Sequence, residues 1–350
     1  MNLRVRYSRV AQVALTYTVL ILGAAIVILP IYLAVVDSLL PKEDAIAYPP
    51  KLFAPDPQFG NFKKAMDAVP LGRYMLNSFI QSSVITVGQL ATSVLAAYAF
   101  AFMRFPLRNF LFILFLSTLM VPWEASIIPN FQTVQMMGDP PAGIAVAIAL
   151  AVGVCVGAGV AALVTGLFRG RSMAGWGIRG PAIAVVVGVF AGLLAGAAAL
   201  RVAQDGKILS LDSYQALTIP FLATAFGTFL MRQHFMTIPL ELRDAAAIDG
   251  YGHLQFLWRV VLPLSKPALG TLAVFAFLQS WNQYLWPLLV TNSDTYRTVQ
   301  IGLAGLSSQE IDSINVVMAG TVIALLPMLV VIVLFQRQLV RGLMQGALKG

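Results

Sequence analysis

The residue types that most often ligate metals or attack bonds are sparse in this chain, which holds two histidines, one cysteine and fifteen carboxylates in 350 residues. His234 and His253 have no carboxylate or cysteine partner at metal-ligand spacing, so no metal site is expected. Cys155 is alone in an apolar block; it forms no intrachain disulfide and reads as a small buried residue. No glycine-rich run ends in Gly-Lys-Ser/Thr, so no P-loop is present, and there is no nucleophile motif. What the chain does offer is neutral polar side chains inside or beside apolar runs: Gln81, Ser82, Ser83, Thr86, Gln89, Asn282 and Gln283, with Trp281 and Trp286 nearby. Their chemistry is hydrogen bonding and stacking, with no bond broken. Gln89 serves either a solute or an interhelical hydrogen bond. The tryptophans either stack on a polyol face or sit at a membrane interface.

The elements that carry these residues are set by composition. The chain is 59% hydrophobic and 11% charged, against about 25% charged in a soluble protein, and its mean hydropathy is +0.81. The apolar residues gather into eight blocks long enough to cross a hydrocarbon layer about 30 Å thick, and each must be helical to satisfy its backbone there. The blocks run over residues 11–36, 77–103, 108–128, 142–168, 181–200, 213–231, 268–290 and 314–336. An all-α polytopic membrane protein is the expected fold. The first block follows Arg4, Arg6 and Arg9 like a secretion signal, but its apolar stretch is too long for one and is read as a span.

Lysine and arginine set the expected orientation, because positively charged loops stay cytoplasmic. With the N-terminus inside, fifteen of the 23 cationic residues fall in the cytoplasm, and the only acids there are Glu241, Asp244 and Asp249. Both termini then lie inside. The pI of about 9.7 reflects membrane orientation, and no nucleic-acid partner is expected. One large inner loop runs from Arg232 to Lys266.

Within it, residues 237–263 read TIPLELRDAAAIDGYGHLQFLWRVVLP, which predicts two short helices. Thr237 is a candidate cap, Pro239 fits a first turn, and Glu241 suits the positive end of the helix dipole. Gly250 supplies the left-handed residue that ends the first helix, and Pro263 closes the second. Ala245, Ala246 and Ala247 let another protein surface approach the backbone closely, so the loop reads as a docking element.

These residues resemble the EAA loop of ABC importer permeases: Asp244, Ala245, Ala246, Gly250, Val261, Leu262 and Pro263 match its pattern, with Asp249 before the glycine. Two positions depart from it, Asp244 where the family usually has Glu and Tyr251 where it commonly has Ala. The resemblance covers residues 11–137 and 209–349. It is carried further by MRFPLRN at 103–109, LMVPWEASIIP at 119–129, DSYQALTIPFLATAFGTFLMRQHF at 212–235 and WNQYLWPLLVT at 281–291. Those runs are similar to the sugar and glycerol-3-phosphate group, in its second-subunit type.

The resemblance implies a non-enzymatic transport subunit in the cell membrane that binds no cofactor itself. It implies a heterodimer with a second permease, two cytoplasmic ATPases that hold ATP and magnesium, and an extracytoplasmic solute-binding protein. Glu241, Asp244, Ala245, Ala246, Asp249, Gly250, Leu262 and Pro263 would meet the ATPase; Gln81, Ser82, Gln89, Trp281, Asn282 and Gln283 would line the solute pathway. The expected solute is sn-glycerol-3-phosphate or a related polyol phosphate or phosphodiester, with a sugar or oligosaccharide as the alternative. No lysine or arginine lies mid-span to favour a phosphate. A secondary carrier or channel is the rival from another class; it would need ionisable groups within spans, and Glu124 is the main one.

The expected organisation is a cytoplasmic segment 1–10, three spans in 11–137, an inserted transmembrane hairpin 138–208, and three more spans in 209–350 with the EAA loop at 237–263. The family would pass almost directly from Gly138 to Asp212. The hairpin's two spans are joined by a segment with Arg169, Arg171 and Arg179, so sidedness is unchanged downstream. Small-residue spacing at Gly153 and Gly157, and at Gly188, Gly192 and Gly196, predicts a self-packed pair at the periphery.

Overall fold

The computed structural model describes residues 2–138, 211–308 and 314–347. The expected hairpin, with Cys155 and its glycine pairs, lies outside the described residues apart from Gly138. Every regular element among the described residues is helical. In chain order these are α1 (Asn2–Leu39), α2 (Lys42–Ala45), α3 (Gly60–Ala68), α4 (Leu71–Phe102), α5 (Arg108–Ser117) and α6 (Trp123–Gly138). Then come α7 (Tyr214–Thr218), α8 (Ala225–Phe235), α9 (Leu240–Ile248), α10 (His253–Phe256) and α11 (Leu262–Leu264). The last are α12 (Lys266–Trp281), α13 (Leu285–Val290), α14 (Val299–Ser308) and α15 (Ile314–Ala347).

Among the described residues three helices are long and apolar enough to cross a membrane unbroken, over Gln12–Leu39, Leu71–Phe102 and Ile314–Gln338. Three further pairs pass the same test but are bent: by 98° between Met120 and Trp123, by 44° between Phe221 and Ala225, and by 80° between Leu264 and Lys266. Blocks 108–128 and 213–231 each contain one of these bends, and the 80° bend falls just before block 268–290. At the first break Pro122 has no N–H and disfavours helical backbone in the residue before it, and Val121 is extended at φ −81°, ψ 117°. At the second, a short 3₁₀ turn over Ile219–Phe221 carries Pro220, and Thr224 is extended. Block 268–290 is itself interrupted, because α12 stops at Trp281 and α13 starts at Leu285. A continuous helix would need an N–H from residue 287 for the Gln283 carbonyl, and Pro287 has none.

The chain forms two units. In the first, Met1–Thr86 with Ile238–Tyr284 and Arg297–Gly350, α15 packs against α1, α3, α12 and α14. Its core includes Leu71, Tyr74, Phe277, Trp281, Leu306 and Ala319. Glycines permit the close approaches: a Cβ on Gly302 would lie 2.6 Å from Tyr74 Cδ2, and one on Gly320 2.6 Å from Leu306 Cδ1. The carbonyls at the end of α1 have no helical partners, and buried asparagines supply them. Asn61 Nδ2 donates to Ser38 O and Leu40 O, each at 3.0 Å, and Asn315 Nδ2 donates to Leu40 O at 3.0 Å. The apolar stretch of α1 is almost wholly exposed, with only 6% of it buried against the rest of the chain.

The second unit, Val87–Thr237 with Leu285–Tyr296, is centred on Trp286, packed with Ile127, Val134, Ala216, Leu217 and Val290. Asp212, at φ +58°, ties α7 to the segment after α13. Its Oδ1 accepts from Asn292 N and Ser293 N at 3.0 Å, and its N–H donates to Val290 O at 2.7 Å.

Candidate coupling and translocation site

The 237–263 loop folds as two helical pieces, as its start and stop signals predict. α9 ends in a Schellman closure: Gly250, at φ +79°, donates to Ala247 O at 3.1 Å, and Tyr251 donates to Ala246 O at 2.8 Å. A Cβ at Gly250 would meet nothing within 4 Å, so the glycine is there for its backbone and not for space. Two local details differ from expectation. Thr237 does not cap α9; its hydroxyl donates to His234 O at 2.7 Å, and Pro239, at φ −58° and ψ 136°, is itself the residue before the helix. Pro263 does not end the second piece, which continues through α11 to Leu264. Lacking an N–H, Pro263 leaves a carbonyl of the preceding turn without its usual bond, and that turn is a π-helix over Leu257–Val261. The chain then turns at buried Ser265, whose N–H and hydroxyl both donate to Val261 O, at 3.0 and 2.7 Å.

The loop's polar and small residues divide between solvent and packing. Glu241, Asp244, Ala245, Asp249, Gly250 and Pro263 are exposed, Leu262 is half-buried, and Ala246 turns inward at 6% exposure. Asp244 pairs with neighbouring Arg243 at 3.1 Å, and Arg259 lies 5.4 Å over the Tyr251 ring. Sequence reasoning missed the apolar surface around them. Ile248 is 88% and Trp258 68% exposed, and Leu240, Leu242 and Leu254 are exposed as well. The available signal was their position on a charged loop whose burial nothing in the sequence required.

This arm is firmly tied to the bundle through α12. Thr271 Oγ1 donates to Gln338 O at 2.9 Å, and a Cβ on Gly270 would lie 2.8 Å from Gln338 Cγ, so α12 and α15 are in close contact.

The residues expected along a solute pathway are distributed as follows. In the first unit Gln81, 1% exposed, donates from Nε2 to Gln283 Oε1 at 2.7 Å. Ser82 is buried beside it, with no hydrogen-bond partner for its hydroxyl. Asn282 is exposed and donates to Leu278 O at 3.0 Å, closing the end of α12. Trp281 is 2% exposed and stacks on Phe277 at 5.8 Å. The ring belongs to the core of this unit.

In the second unit Gln89 donates from Nε2 to Phe221 O at 2.9 Å, and Thr92 Oγ1 donates to Leu222 O at 2.8 Å. Gln89 thus answers the carbonyls freed where the 213–231 block bends. Gly88 lets that bend approach, since a Cβ there would sit 2.5 Å from Leu222 Cδ2. Trp286 is 1% exposed between Trp123 and Phe221, with its indole N–H donating to Ala216 O at 3.0 Å, so it too belongs to a core and not to an interface. Glu124 is exposed in the first turn of α6, where the helix dipole favours a carboxylate. No cluster of three metal-ligating side chains occurs among the described residues.

An exposed helical arm that runs through a sharp turn into α12 can bind a partner and transmit movement. Comparison with known proteins gives it a family. The family model for the binding-protein-dependent transport system inner membrane component matches residues 89–345. The chain is 32% identical over 338 residues to the sn-glycerol-3-phosphate transport system permease protein UgpE of Yersinia pestis, covering 94% of this chain and 95% of that protein. It is 31% identical over 339 residues to the protein of the same name from Pectobacterium atrosepticum, covering 95% of each. A solved bacterial ABC transporter involved in the import of the acidic polysaccharide alginate shares the fold, with a TM-score of 0.64 at 19% identity, covering 95% of this chain and 97% of that one. The chain therefore belongs to the inner-membrane components of binding-protein-dependent transport systems, as a multi-pass permease subunit of an ABC importer.

Proposed function

We propose that this permease carries sn-glycerol-3-phosphate, or a related polyol phosphate or phosphodiester, inward across the cell membrane. The observation that carries the reading is the similarity, along 94% of the chain, to permeases named for sn-glycerol-3-phosphate transport. A soluble binding protein outside the membrane delivers the solute. A second, unlike permease completes the pathway, and two ATPases on the cytoplasmic face hold ATP and magnesium. Both termini of this chain are cytoplasmic, on the side of the α9 arm.

Residues 237–263 are the contact with the ATPase. Support comes from the arm's exposure: Ile248 and Trp258 offer apolar surface, while Glu241, Asp244 and Asp249 offer charge. Burial of such a patch against a partner is worth about 25 cal/mol for each Å² of apolar area. Closure of the ATPases moves the arm, and the Ser265 turn passes that movement to α12 because its hydrogen bonds to Val261 O resist local bending. Neutral groups such as Gln81, Ser82, Gln89 and Gln283 suit a pathway that leaves selectivity to the binding protein.

The test is ATP-dependent uptake by the assembled importer in proteoliposomes, with its binding protein present. Labelled sn-glycerol-3-phosphate, a glycerophosphodiester and an oligosaccharide are offered in parallel. Uptake of the phosphate compounds is expected. Uptake of the oligosaccharide alone would establish the sugar alternative, and uptake without ATP would establish a secondary carrier.

A further inference from the structure

The MRFPLRN run between α4 and α5 makes a feature that solute transport does not use. Its residues line a cavity of about 410 Å³, with Arg104 and Arg108 on its wall together with Phe105, Leu107, Asn109 and Phe110. The chain reverses there through Leu107, whose φ of +58° is unusual for a non-glycine residue and costs about 1–2 kcal/mol. That turn brings two arginines four residues apart to one wall.

A third cation stands close by. The Arg232 guanidinium lies 4.1 Å over the Phe112 ring, and Phe112 is one helical turn from Arg108 on α5, a spacing that makes side chains neighbours. Arg108 is close enough to act electrostatically on Arg232. The same place is the start of α5, which has no side-chain cap and no acidic residue in its first turn. Its free N–H groups carry the positive end of the helix dipole, where an arginine is disfavoured and an anion favoured. Among the described residues no carboxylate pairs with Arg104, Arg108 or Arg232. Arg104 and Arg108 thus share a wall with a helix N-terminus, and the neutral Met103 and Phe100 carbonyls, at 3.3 and 3.4 Å from Arg108 and Arg232, leave the charges of those two uncompensated.

We propose that this cavity binds the phosphate of an anionic phospholipid, with Arg104 and Arg108 as donors. A lipid, more than a free phosphate, fits because the face of α5 leading away from the cavity is apolar and open. Phe110 is 61%, Ile113 67% and Leu114 53% exposed, a track on which acyl chains lie. Basic pockets beside membrane helices bind such headgroups.

The assembled importer, purified in detergent, is titrated with phosphatidylglycerol, with phosphatidylcholine and with inorganic phosphate. Retained lipid is read by native mass spectrometry and protection by the melting temperature. Phosphatidylglycerol is expected to be retained and to raise the melting temperature. Arg104→Gln and Arg108→Gln should each weaken its apparent affinity about fivefold. Arg337→Gln, which removes an exposed arginine elsewhere, should leave it unchanged. Equal affinity in the Arg104→Gln/Arg108→Gln variant would overturn the proposal. So would an equal loss in Arg337→Gln, or protection by inorganic phosphate as strong as that by the lipid.

Discussion

Gly250 separates a backbone requirement from a steric one, and three substitutions read out the difference. Its φ of +79° is left-handed, a conformation that costs an ordinary L-residue about 1–2 kcal/mol and that asparagine tolerates better. Because nothing lies within 4 Å of a Cβ built there, no clash adds to that cost in the isolated chain. The penalty falls on the closure bonds from Gly250 and Tyr251 to Ala247 O and Ala246 O. Gly250→Ala should therefore raise the opening of this turn about 5-fold to 30-fold. Gly250→Val should raise it further, since branching at Cβ tightens the constraint, and Gly250→Asn should stay close to the parent. Hydrogen exchange at the Tyr251 amide measures the opening. In reconstituted importer, the ratio of ATP hydrolysed to solute taken up measures coupling, and it should worsen in the order Asn, Ala, Val. Unchanged exchange and full uptake in Gly250→Val would refute the reasoning. A Gly250→Asn variant as uncoupled as Gly250→Val, with its turn intact, would instead mean that a partner needs the bare surface.

Three further outcomes follow from the packing and the hydrogen bonds. Gly302→Ala places a Cβ 2.6 Å from the buried ring of Tyr74 and should lower stability by about 1–3 kcal/mol; thermal unfolding in detergent should show no such extra loss when Tyr74→Ala is already present. A double-mutant cycle of Gln81→Leu and Gln283→Leu should give a coupling of about 0.6 kcal/mol for their 2.7 Å bond, and a coupling of zero would mean that the pair holds nothing together. Asn61→Ala strands the Ser38 carbonyl while Asn315 still serves that of Leu40; a loss of about 1–3 kcal/mol is expected, and the same thermal assay checks it.

The 237–263 loop was the part of the candidate site most legible in sequence, because its structure is local. A proline, a first-turn acid and a glycine within twelve residues specify a short helix and its end without help from elsewhere. The residues expected along a solute pathway were far less legible. Gln81 and Gln283 are partners across 202 positions, and no local pattern announces such a pair. Trp281 and Trp286 look alike in sequence, as amphipathic rings at a membrane boundary, yet each fills a core. Ala246 and its two alanine neighbours are indistinguishable by type, and only the helix's rotation against the bundle turns one inward.

Chain composition alone determined the class of molecule. Long apolar blocks in a bilayer have no solvent for their backbone polar groups, so helices follow from the residue types themselves. Gly250 was equally a matter of sequence, since few other residues adopt its backbone conformation cheaply. The bends were only half determined: Pro122 and Pro220 mark where hydrogen bonds are lost, but the 98° and 44° angles are properties of the folded chain. Carbonyls freed at the second of those breaks are met by Gln89 and Thr92 from α4. Such bonds depend on distant segments arriving together, which tertiary structure alone decides.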